Sequence, residues 1–147
     1  MSQMTSDDQS YTVQWEHDLA GMVTTCLDAG TADEMGVLRK VYSLMASAPD
    51  RCSALIGKLP LLHDFEAMLA SGALESAAVS LIPAHAGYML SRGANGRHMG
   101  SVFMPGLKDE HTAEASTAAL ALLAAALSAL HRQAHDRRRR PGSDSLN

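Results

Sequence analysis

A chain of 147 residues, 46% hydrophobic and 19% charged, is long enough to bury a core and too apolar to stay disordered. Its net charge of −4 is unevenly spread: residues 131–147 carry five arginines against two aspartates, +3, and the remainder carries −7. An acidic body excludes a nucleic-acid surface spread over the whole fold and confines such attraction to the tail.

Aromatics make up only 4% and methionines number nine, so alanine, leucine and methionine must fill the core. The opening residues, MSQMTSDDQS, are short and polar, and residues 1–10 are expected to be disordered. They lack the basic and apolar regions of a signal peptide, which points to a cytoplasmic protein. A single domain is expected over 11–135, helical in 11–71 and helix–hairpin–helix in 72–135. A flexible Arg-rich tail follows over 136–147.

The first predicted helix spans 13–28, because Leu19, Met22, Val23 and Cys26 share one helical face. Gly30 stops it. A second helix opens at Thr31, which stands at capping-box spacing from Glu34, and Met35, Leu38, Tyr42 and Met45 form its stripe. Pro49 ends that region. Asp50 caps a short helix with Leu55 and Ile56, and Pro60 separates it from a helix over 61–70 that Gly72 terminates. Residues 74–82 fit helix or strand, and their alanines favour helix. Cys26 and Cys52 form no CxxC pair and read as buried free thiols.

Two short strand-like runs, AGYMLSRG and RHMGSVFM, flank ANG. Asn95-Gly96 suits a type I′ hairpin turn, which needs positive φ at both central residues. Pro105 and Gly106 break the second strand. The last helix is expected over 113–134, capped by Thr112, with Glu114 at the positive end of its dipole. Leu120, Leu123, Leu127 and Leu130 form a seam in a field of alanines, so this helix is expected to be buried on more than one side.

Few residues suggest chemistry. Gly93, Gly96 and Gly100 do not make GxGxxG, and a strand rather than a helix follows them, so no phosphate loop is expected. Arg92 and Arg97 flank the turn and could touch phosphate, together with Arg137, Arg138, Arg139 and Arg140 of the tail; the simpler reading is a solvated tip and tail. His131 and His135 stand at i, i+4 and could share a metal if a third ligand came from elsewhere, but two solvated histidines at a helix end are the simpler reading. His17-Asp18, His63-Asp64 and His135-Asp136 point their neighbouring side chains apart in a helix. There is no GxSxG and no locally activated cysteine. The apolar stretch 115–130 has 16 residues, short of the about 20 that span a membrane.

Residues 72–130 resemble phage ABA-sandwich domains. The resemblance lies in AAVSLIP, AGYMLSRG, ANG, RHMGSVFMPG and TAALALLAAALSAL, an apolar helix, a strand, a Gly-containing turn, a second strand and an Ala/Leu helix. His85 and Ala86 stand where the family pattern leads one to expect a tryptophan. No activity is established for that family, so the resemblance implies a fold and no mechanism. The same order is similar to double-stranded-RNA-binding domains, whose last helix opens with lysines that grip phosphate. KDEHTAEAST is acidic there, which argues against RNA.

The expectation is a mostly helical α+β fold, with four or five helices and one antiparallel hairpin packed around the Ala/Leu helix. The expected function is a non-enzymatic interaction or structural protein that forms a homodimer, without cofactor or membrane. A nucleic-acid-associated protein using the tail and hairpin tip is the alternative, followed by a metal-dependent or small-ligand enzyme.

Overall fold

The computed structural model describes residues 6–139. Its centre is α6, Ala118–Arg138. Thr117 caps it, the hydroxyl accepting from the Leu120 N–H at 3.1 Å. The seam Leu120, Leu123, Leu127 and Leu130 is buried, and so are Leu122 and the alanines on the remaining sides. A helix apolar all round needs cover all round. One side receives a sheet and the other α1, Ser6–Asp28, and α5, Leu74–Ser80. The helical layer is completed by α2, Glu34–Ala46, α3, Ser53–Ile56, and α4, Leu62–Ala70.

The sheet has three antiparallel strands in the order β1, Gly87–Arg92, β2, His98–Phe103, and β3, His111–Ala115. The register places Gly100, Val102 and Ala115 on the α6 side, and Met89, Met99, Ser101, Phe103, Thr112 and Glu114 on the other. Helix and sheet approach closely at Gly100, where an added Cβ would stand 2.7 Å from the Leu122 nitrogen and 2.8 Å from the Ala121 carbonyl. Small residues on both surfaces let the two backbones meet.

On the helical side, α1 is tied to α2 through Trp15, which is buried and donates its indole N–H to the Leu44 carbonyl at 2.9 Å. Gly72, at φ +79, ends α4. Its N–H bonds the Leu69 carbonyl and the next N–H, of Ala73, bonds that of Met68, the paired bonds of a Schellman ending. Residues 74–80 are helical, and both cysteines are buried free thiols. Burial pushes the Cys26 thiol up to about 12.

The α+β class holds, with six helices and a three-stranded sheet among the described residues in place of four or five helices and a hairpin. The third strand is β3. Its Ala and Glu favour helix, but pairing decides: the Ser101 and Thr112 hydroxyls lie 3.0 Å apart and Arg97 bonds Glu114 at 3.1 Å. The last helix therefore starts at 118, capped by Thr117 instead of Thr112. Thr31 opens a 3-10 turn, Thr31–Asp33, rather than capping α2, and Asp33 accepts from the Gly30 N–H at 3.5 Å. Helix α1 begins at Ser6, ahead of the expected 13, and Thr12 joins its buried face; residues 1–5 lie outside the described residues. Of the expected tail, residues 136–138 belong to α6, and residues 140–147, Arg140 included, lie outside the description.

The hairpin turn differs from the type I′ expectation. Among the described residues positive φ occurs only at glycines, Gly96 at +82. Gly96 N–H bonds Gly93 O at 3.0 Å, and Gly93 N–H bonds Arg97 O at 2.9 Å. The connection is a three-residue turn with Gly96 in the left-handed bulge position.

Two substitutions test this frame by chemical denaturation. Gly100→Ala should cost about 1–3 kcal/mol, since the contacted atoms are backbone. Gly96→Val should cost about 1–2 kcal/mol, because a β-branched residue resists the left-handed region. A midpoint unchanged in either variant would contradict the corresponding contact.

Candidate functional site

The arginines singled out by the sequence do not form one surface. Arg92 and Arg97 lie at the hairpin tip, near the start of α6, while Arg137, Arg138 and Arg139 lie at its far end. A helix of 21 residues separates the two groups by about 30 Å. Arg97 is neutralised by Glu114, which also accepts from the Asn95 amide at 3.3 Å. Arg138 is neutralised by Glu16 at 2.7 Å.

His131 and His135 are brought together, their rings stacked with centroids 6.4 Å apart. The group facing them is a guanidinium. Arg138 Nη2 lies 3.4 Å from His135 Nδ1 and also grips the buried Glu16 carboxylate, itself 3.7 Å from that ring nitrogen. A cation thus already sits where a metal would need the carboxylate. Among the described residues no group of three His, Cys, Asp or Glu could hold a metal ion. The Glu16–Arg138 pair instead fastens the middle of α1 to the end of α6, across 122 positions of sequence.

The second feature is the sheet. Strand β1 is an edge strand, and its exposed side chains include Tyr88 on the α6 side and Met89 on the outer side, 62% exposed. The outer face continues through Met99 and Phe103 on β2. It is nearly uncharged, since Glu114 is paired with Arg97. No residue-type motif marks this surface; the missed signal is a strand whose Tyr88 and Met89 point to opposite faces and both stay exposed.

Two concavities complete the map. A groove of about 850 Å³ runs between α1 and α2, lined by His17, Asp18 and Lys40 among others, with Arg39 at its rim held by Glu66 at 3.0 Å. A cleft of about 630 Å³ lies where α3, the β2–β3 connection and the end of α6 meet. It contains Arg51, His85, Gln133 and Arg137. No helix among the described residues is long and apolar enough to cross a membrane.

The histidine cluster yields a pH prediction. Burial holds the His131 imidazole below its ordinary value of 6.5, against a smaller upward pull from Glu16 and with a downward push from His135. The unfolded chain then binds that proton more tightly, so stability should fall as pH drops below about 6.5. The Glu66 carboxyl is held down by its hydrogen bonds to Arg39, so its contribution disappears only below about 4.5. Melting curves from pH 7 to 5 should show a declining Tm, with a shallower decline in His131→Gln. Identical slopes in the two proteins would refute the assignment.

No protein-family model matches the chain, and neither a curated protein nor a solved structure is significantly similar to it.

Proposed function

We propose that the protein is a non-enzymatic interaction or structural protein that forms a homodimer through β1. The observation that carries this reading is the unprotected edge. An edge strand exposes a row of backbone donors and acceptors, and proteins blunt such rows with lysine, proline or a bulge. Neither lysine, proline nor a bulge occurs within Gly87–Arg92, whose one charge is Arg92 at the strand end, and Tyr88 and Met89 stay exposed on opposite faces. Antiparallel pairing of β1 with its copy about a two-fold axis makes a six-stranded sheet and covers both side chains. The edge carries one charge, Arg92 at its end, and antiparallel pairing about a two-fold axis sets the two copies of Arg92 at opposite ends, so two copies meet there with little repulsion. The Ala/Leu helix offers no second surface for a copy, because α6 is already covered within one chain.

A cytoplasmic location is proposed on the two buried unpaired thiols. A relation of residues 72–130 to ABA-sandwich domains is proposed on element order: α5, β1, β2 and α6 follow as in that family, with β3 added before α6.

Six residues of edge bury little area compared with the roughly 800 Å² per partner of a stable interface, so dissociation is expected in the micromolar range. Light scattering over a dilution series should show mass falling toward the 15.6 kDa monomer. Met89→Lys should be monomeric throughout with its Tm unchanged, whereas Met99→Lys, on the central strand, should still dimerise. A wild-type mass of one monomer at every concentration would sink the reading, and dissociation by Met99→Lys but not Met89→Lys would move the interface to the outer face.

A further inference from the structure

We propose that Met89 is an oxidative modification site: hydrogen peroxide converts its thioether to the sulfoxide, and the sulfoxide releases the β1 dimer. The inference rests on the edge pairing described above and adds a chemical control to it.

The sulfur of Met89 is the one the fold leaves most open. The chain has nine methionines, and seven lie among the described residues. Met45 and Met104 are buried, and Met22, Met35 and Met68 are packed partly into the core. Of the seven, only Met89, 62% exposed, and Met99, 41% exposed, present open side chains. They occupy diagonal positions on the outer face of β1 and β2, since Met89 faces Ser101 and Met99 faces Ser91. The thiols do not compete for oxidant. Cys26 and Cys52 are buried, and burial raises both above the ordinary thiol value, so little thiolate is offered to solvent.

The hydrogen bonding of β1 sets Met89 at the centre of the free edge. Gly93 N–H bonds the Arg97 carbonyl at 2.9 Å and closes the hairpin. Bonded and non-bonded pairs then alternate along the two strands. Ser91, Met89 and Gly87 exchange bonds with Met99, Ser101 and Phe103, while Tyr88, Leu90 and Arg92 direct their backbone groups to the open edge. Two-fold pairing that joins Tyr88 of one copy to Leu90 of the other sets Met89 opposite Met89 on the axis. That is a non-bonded pair, where opposing side chains come closest, with Cα atoms about 4.5 Å apart. This register matches apolar with apolar at all three positions. An axis at Leu90 would set Met89 against Ser91 and Tyr88 against Arg92.

Oxidation acts at that contact. The thioether sulfur attacks one peroxide oxygen and the O–O bond breaks. The sulfur gains that oxygen and loses two electrons, and the other oxygen leaves as water. The S=O group is a strong acceptor, and the methionine facing it has no donor. Pairing would strip it of water without a bond in return. The reaction takes place on the monomer, which dissociation in the micromolar range supplies. Association therefore protects Met89, and its oxidation draws the equilibrium toward monomer.

The test treats the full chain with hydrogen peroxide below and above its dimer Kd, and reads peptide masses and light scattering. Below the Kd, Met89 should gain its oxygen faster than any other described methionine. Above it, Met89 should slow while Met99 keeps its rate. The oxidised protein should keep its far-ultraviolet spectrum and show a dimer Kd raised by about tenfold or more. Met89→Leu, apolar but without sulfur, should dimerise before treatment and remain dimeric after it. Met99→Leu should dissociate on treatment as the wild type does. Survival of the wild-type dimer after full conversion of Met89, or dissociation of treated Met89→Leu, would overturn the proposal and leave the edge reading standing. A wild-type mass of one monomer at every concentration before any treatment would end both.

Discussion

Everything in this fold depends on the contact between two backbones, that of α6 at Ala121–Leu122 and that of β2 at Gly100. No side chain stands between them. A glycine on the strand and alanines on the helix let the sheet lie directly on the helix, and dispersion then acts over many closely spaced atoms. With the sheet on one side, α6 still has three apolar sides to cover, and α1, α2, α3 and α5 are arranged to do so. The scarcity of aromatics follows: a helix that accepts neighbours all round leaves little room for rings, and Trp15 and Phe65 occur in the outer helical layer.

Polar groups tie the ends of this assembly together. Glu16 is buried, yet its carboxylate accepts two bonds from Arg138, so the charge is compensated where it would otherwise be costly. Arg137, one residue earlier, fastens the same helix end to the segment before α3. The C-terminal arginines, which composition presents as a loose basic tail, therefore begin as structural members. Their charges serve contacts within the chain before any partner is considered.

Much of the helical frame was legible. The leucine seam of α6, the Gly72 stop and the helical preference of 74–80 each rest on local chemistry that no distant residue opposes. Strand β3 was not legible, because Ala113, Glu114 and Ala115 have a helical preference that only pairing with β2 and the contact of Arg97, just before it, with Glu114 override. Nothing in the sequence singles out Glu16 and Thr12; their burial depends on Arg138 at the far end of the chain and on the Asp8 carbonyl one turn before. The surface proposed as functional left little trace for a similar reason. The edge of β1 is made by the assembly of elements, and its residues stand at no recognisable spacing.

The docking of α1 onto α2 carries a consequence of another kind. Trp15 is the only tryptophan of the chain, buried at 2% exposure with its indole N–H held by the Leu44 carbonyl. Its tryptophan emission, excited at wavelengths that the three tyrosines do not absorb, therefore reports from a single point, the seam between the first two helices. Separation of α1 from α2 would wet the indole and redden its light. The molecule contains its own optical gauge for that one joint, with no label required.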